Sequence, residues 1–155
     1  MPVYPVSVAS VGARPIAVVR ARMRPTEIPK RFVTYLDQVY AAARSGRIAV
    51  DGLNVFVYRD AADGSGLLDV EFGVGATAPF ATTGNVVYSA TPAGEAATTT
   101  HWGDYAGLGG AYDALKSWCA EHGRRFASPK WEVYGHWSDN SSERRTDVFM
   151  LLEPR

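Results

Sequence analysis

Apolar residues recur along this chain with two periods, and the switches between them mark out the elements. The run Pro15-Ile16-Ala17-Val18-Val19-Arg20-Ala21-Arg22-Met23 is short and β-branched, which predicts a strand. Residues 3 to 9 are expected to form an earlier strand or an extended arm. Thr26 reads as a helix N-cap, with Pro29 in the first turn and Glu27 at the positive end of the helix dipole. Phe32, Val33, Leu36, Val39, Tyr40 and Ala43 then return at helical spacing until Ser45-Gly46. Beyond the turn at Asp51-Gly52, Leu53 to Tyr58 and Leu67 to Val74 predict a hairpin around the polar loop Asp60 to Gly66.

After a loop over 75–84, strands are expected at Asn85 to Ala90 and Glu95 to His101. Gly103-Asp104-Tyr105 opens a second helix, with Asp104 as its candidate cap. Leu108, Ala111, Tyr112, Leu115, Trp118 and Cys119 form its apolar stripe, and His122-Gly123 closes it. Pro129 interrupts the chain; Lys130 to Trp137 and Thr146 to Leu152 predict a last hairpin around Ser138 to Arg145.

The order strand, helix, strand, strand thus occurs twice, about 14–75 and 94–153. Arg47 and Arg125, Leu53 and Trp131, Phe56 and Tyr134, Asp69-Val70 and Asp147-Val148, and Tyr40 and Trp118 all stand 78 residues apart. Two copies are too few for a solenoid. The expected fold is therefore α+β: one domain over 1–155, a duplicated βαββ unit with pseudo-two-fold symmetry. Antiparallel sheets and two main helices would surround a central cleft.

Composition narrows the partners. Sixteen basic residues balance sixteen acidic ones in a chain of 155, which argues against nucleic acid. No apolar run approaches the roughly 20 residues of a membrane span, and the N-terminus lacks a signal-peptide pattern. A cytoplasmic protein without membrane association is expected. Cys119 is the single cysteine and reads as buried and inert, so no disulfide or cysteine-based metal cluster is available. No metal or cofactor motif is present: there is no H-E-x-x-H, no G-x-S-x-G, and Gly73-Val74-Gly75 lacks the rest of a dinucleotide fingerprint.

Alternation along the strands locates the candidate chemistry. Glu132, Tyr134 and His136 share one face; Trp131, Val133, Gly135 and Trp137 share the other. By the repeat, Asn54, Phe56 and Tyr58 should lie across from Glu132, Tyr134 and His136. A carboxylate among aromatic rings suits a cation, since the rings add cation–π attraction to the counter-charge. A solvated strand face would carry the same alternation. Trp102 and Tyr105 flank the entry to the second helix and, with Tyr112 and Trp131, complete the candidate binding set. His101 and His136 read as either catalytic or merely satisfied; His122 reads as a helix C-terminal group. Asp69 and Glu71 read as a solvated strand face, with a pocket role as the alternative.

The stretch His101-x-Gly103-x-Tyr105-x-x-Leu108, then Ala111-Tyr112-x-x-Leu115-x-x-Trp118, then Trp131-Glu132-x-Tyr134, ending in Glu153-Pro154, resembles the second half of GyrI-like domains. These are also called AraC-type effector-binding domains. The N-terminal half matches by pattern alone, and the loop Ser138-Asp139-Asn140-Ser141-Ser142 lacks the family's proline. The resemblance implies a standalone domain that binds bulky hydrophobic or cationic compounds, with Glu132 facing the ligand. It also implies an alternative: a hydrolase opening cyclopropane-bearing genotoxic natural products, with Glu132 and Tyr134 as catalytic residues and Tyr105 as a possible donor. A gyrase-inhibitor type of protein interaction is the third reading. The oligomeric state is not legible.

Overall fold

The period-two runs form strands and the period-3.6 runs form helices. The computed structural model describes residues 3–155. Strands β1 (Ser7–Val11) and β2 (Pro15–Met23) lead into helix α1 (Ile28–Arg44) and the hairpin β3 (Val50–Asp60) and β4 (Leu68–Ala76). The order recurs as β5 (Val87–Ala90), β6 (Gly94–Trp102), α2 (Leu108–Glu121), β7 (Phe126–Tyr134) and β8 (Arg145–Leu152). The α+β class follows as expected. Among the described residues, no helix is long and apolar enough to cross a membrane.

The chain forms two units. Ala13–Thr91 carries the strand order β5-β2-β4-β3, and the segment through Gly12 together with Pro92–Arg155 carries β1-β6-β8-β7. All these pairings are antiparallel. The edge strands are exchanged relative to chain order: β1 precedes β2 but pairs with β6, while β5 precedes β6 but pairs with β2.

Within each unit the strands have one helix-covered face. Val39 and Ala42 of α1 pack on Ala17, Val19, Val74 and Ala76. Ala111, Leu115 and Cys119 of α2 pack on Ala97, Val148, Met150 and Leu152. Burial drives both contacts, and the buried Cys119 thiol is pushed up by that burial. Residues directly opposed in an antiparallel ladder share a face. Glu132 opposes Val148 and Tyr134 opposes Thr146, so both belong to the α2 face.

The ladders correct the constant spacing expected from the sequence. The helices open at Ile28 and Leu108, 80 residues apart. Val57 opposes Glu71, and Glu71 opposes Arg20; Val133 opposes Asp147, and Asp147 opposes Thr100. Taking β2 and β6 at the helix offset of 80 pairs Arg20 with Thr100, and both strands of the hairpins then correspond at 76. An offset of 78 for both hairpin strands is incompatible with these registers. The error of two residues preserves the face of each side chain, because strand side chains alternate with period two. It does change the counterparts: Glu132 corresponds to Phe56, not Asn54.

Other departures are local. Thr26 is not a cap: a 3₁₀ turn, Pro25–Glu27, precedes α1, and the Glu27 carboxylate accepts the Arg24 backbone N–H at 2.7 Å. Asp104 precedes the 3₁₀ turn Tyr105–Gly107 without a side-chain cap; its carboxylate accepts from Arg144 instead. Pro129 lies inside β7, where the register against β8 shifts between Phe126 and Lys130. At its other end β7 stops at Tyr134, so His136 and Trp137 belong to the following loop. The α2 terminus behaves as expected, with His122 Nδ1 donating to the Trp118 carbonyl at 2.8 Å and Gly123 at φ 62°.

Candidate functional site

Helix α2 and strand β7 of one unit build the site. Tyr112 lies one residue beyond Ala111 on α2, at the edge of the helix's buried stripe, and its ring reaches down to the sheet. There its hydroxyl donates to Glu132 Oε2 at 2.6 Å. Tyr134, two residues along β7 and on the same face, donates to Glu132 Oε1 at 2.5 Å. Glu132 itself is only 5% exposed. Each carboxylate oxygen therefore has a phenol donor, as a buried charge requires.

The surroundings are aromatic and cationic. The Lys130 ammonium lies 5.1 Å from the Tyr112 ring centroid. Tyr105, in the turn before α2, meets the Tyr134 ring edge-on at 5.2 Å and the Trp137 ring at 6.3 Å. The Arg144 guanidinium covers the Trp137 ring at 3.8 Å and is tethered to Asp104 and to the Ser138 carbonyl. A positive charge thus already sits against two rings around Glu132. Beside Tyr134 in the ladder, Thr146 Oγ1 is the buried side-chain oxygen without a hydrogen-bond partner among the described residues.

Burial, the charge of Glu132 and the hydrogen bond to it push the Tyr112 phenol far above its ordinary value. The folded chain therefore holds this proton more tightly than the unfolded chain. The resulting stability is fully present below the unfolded value of about 10 and is lost as pH rises beyond it. Between pH 10 and 12, Tyr112→Phe should flatten the decline of urea-unfolding stability by at most about 1.4 kcal/mol per pH unit. Parallel declines in both proteins would contradict a protonated, buried Tyr112.

The structure gathers Glu132, Tyr134, Tyr112 and Tyr105 and adds Lys130, Trp137 and Arg144, which the sequence reading had not assigned to the site. Trp131, Trp102 and His136 of the same unit lie away from this group. Trp131 points to the opposite face and stacks on Phe149 at 5.0 Å. Trp102, on that same opposite face, is exposed and lies under Arg145. His136 is exposed in the loop. In the other unit, Asn54 accepts the Tyr40 hydroxyl at 2.5 Å, Phe56 packs against Phe32 and Phe72, and Tyr58 is buried. His101 resolves to the satisfied alternative. Its Nε2 must donate to the Asp104 carbonyl at 2.8 Å, which leaves Nδ1 to accept the Tyr4 hydroxyl at 2.8 Å. Its ring also explains Gly107, where a Cβ would lie 2.8 Å from His101 Cε1. Among the described residues, no His, Cys, Asp and Glu cluster could hold a metal.

A family model described as a GyrI-like small molecule binding domain matches residues 4–153. The chain superimposes on the C-terminal domain of EcmrR with a TM-score of 0.81 at 17% identity, covering 99% of this chain and 100% of that one. SAV2435 bound to tetraphenylphosphonium gives 0.69 at 7% identity, covering 96% and 94%. A hydrolase from Listeria innocua gives 0.57 at 12%, covering 96% and 91%. At these identities the likeness is one of fold. No curated protein matches by sequence.

Proposed function

The chain belongs to the GyrI-like family of small-molecule-binding domains, and from that premise we propose that it binds a bulky lipophilic cation with Glu132 as the counter-charge. The observation that carries this reading is the buried Glu132 carboxylate held by the Tyr112 and Tyr134 hydroxyls. The two phenols fix the carboxylate without neutralising it. Tyr105, Tyr134 and Trp137 supply ring surface close by, and the Tyr112 and Trp137 rings already accept the protein's own cations, Lys130 and Arg144. An organic cation would exchange with those side chains. Its apolar substituents would replace their hydrated stems and add a hydrophobic gain.

Two ions of matched size and opposite charge test this. Tetraphenylphosphonium, the compound bound by SAV2435, should quench Trp137 fluorescence saturably, with an affinity at least about tenfold above that of tetraphenylborate. Equal affinities would reduce the site to an apolar groove in which the carboxylate has no role.

The second reading uses the same residues. A hydrolase needs a base and a proton donor in contact, and Glu132 touches two phenols, one held firmly protonated. Glu132 would accept a proton from water as the water oxygen attacks a strained ring carbon. The ring bond breaks, and the other carbon takes up the proton that Glu132 accepted, which restores the carboxylate. Mass analysis after incubation with a cyclopropane-bearing electrophile decides between the readings. A water adduct formed by the natural chain and not by Glu132→Gln supports hydrolysis; an unchanged compound supports binding alone.

A further inference from the structure

Glu71 has a different surrounding, on the helix-free face of the Ala13–Thr91 unit. Its side chain is 4% exposed, at the floor of an open groove of about 410 Å³ lined also by Arg20, Arg22, Arg59, Asp69 and Ser89. The Arg20 Nε and the Ser89 hydroxyl donate to Oε2 at 3.0 and 2.7 Å, and Arg59 Nη1 donates to Oε1 at 2.8 Å. Burial acts to raise the Glu71 carboxyl; the bonds from Arg59, Ser89 and Arg20 outweigh it and hold the group below the ordinary carboxylate range. The arginine heads remain open to solvent, with side chains 63% and 40% exposed.

The other unit provides an internal control. By ladder register, Glu71 corresponds to Asp147, Arg20 to Thr100, Arg59 to Gly135 and Ser89 to Ala9. The sheet therefore forms without two guanidiniums at this place, and without so deeply buried an acid: Asp147 is 27% exposed. A buried carboxylate is a costly way to stabilise a strand. What Glu71 achieves is to hold two guanidiniums beside each other against their mutual repulsion. One carboxylate balances only one of them. Arg22 is occupied separately by two acids, Asp63 and Asp69, so the cluster as a whole is neutral and its excess positive charge is local to Arg20 and Arg59. Arg20 bonds Glu71 through Nε alone, leaving both its terminal nitrogens for a planar, two-oxygen partner.

We propose that this groove is a second ligand site, which takes an oxyanionic group, a carboxylate or a phosphate, between the Arg20 and Arg59 guanidiniums that Glu71 positions. The site lies wholly within one unit and does not depend on the Glu132 reading.

Arginine Nε–Hε resonances provide the test. The full chain is titrated with inorganic phosphate and, separately, with succinate, at ionic strength held constant by sodium chloride. Saturable shifts of the Arg20 and Arg59 signals with one of these anions are expected, and the responding arm identifies the oxyanion class. Arg20→Gln and Arg59→Gln, both changes at exposed heads, should each weaken that binding by at least about tenfold, while Glu132→Gln leaves it unchanged. Shifts that never saturate with either anion overturn the proposal. So does saturation that survives both arginine substitutions.

Discussion

Replacing Gly73 with alanine is expected to destabilise the Ala13–Thr91 unit by about 3 kcal/mol or more, at the upper end of overpacking effects. Gly73 sits in the middle of β4, paired on one side with Val18 and on the other with Val55. A Cβ there would lie 2.1 Å from the Ala17 carbonyl oxygen and 2.5 Å from Val18 Cγ1. The first contact is with backbone, so it can be relieved only by moving β2 away from β4. That movement strains the hydrogen-bonded ladder carrying Ala17, Val18 and Val19, all buried. Gly12→Ala is the control: no atom lies within 4 Å of its Cβ position, and a change within about 0.5 kcal/mol is expected. Urea midpoints measure both. A Gly73→Ala midpoint equal to that of the natural chain would show that the strands do not approach as closely as described.

Much of this fold was legible because its signals are local. The stripe from Leu108 to Cys119 and the His122-Gly123 ending are contained within one helix. They depend on spacing and dipole alone. Glu132 and Tyr134 were correctly put on one face, since alternation needs only strand direction. The spacing of the repeat was harder. Matches such as Asp69-Val70 with Asp147-Val148 suggest 78, but register is set by which residues face each other across a hairpin, and the stretch from the start of α1 to β3 is four residues longer than that from the start of α2 to β7, so the offset drops from 80 in the helices to 76 in the hairpins. Glu71 shows the limit clearly. Its alternation with Leu68, Val70 and Phe72 reads as a solvated face. Its burial comes from Arg20, Arg59 and Ser89, on three other strands. The Tyr112 contact to Glu132 is equally non-local: nothing in the helical stripe indicates that a hydroxyl at its edge reaches a carboxylate on β7. The N-cap assigned to Thr26 failed for a different reason, because Glu27 satisfies the first turn from inside it.

Glu132→Gln should carry the largest functional effect. The substitution keeps the size and shape of the side chain and removes its charge. A cation held a few ångströms from the carboxylate in a partly desolvated site gains about 2 kcal/mol from it, roughly thirtyfold in affinity. The amide also has a single oxygen acceptor where the carboxylate has two, so one of the Tyr112 and Tyr134 hydroxyls loses its acceptor. Urea unfolding of the variant is therefore recorded alongside the binding data, so that lost affinity is assigned to charge and not to lost fold.

The ratio of tetraphenylphosphonium affinity to tetraphenylborate affinity, measured in the natural chain and in folded Glu132→Gln, addresses the role of Glu132 most directly. Using the ratio cancels the apolar contacts that the two ions share. A strong preference for the cation that falls by more than roughly thirtyfold in the variant, which loses the attraction for the cation and the repulsion of the anion together, is the result expected of a buried counter-charge. A ratio unchanged by the substitution would contradict it.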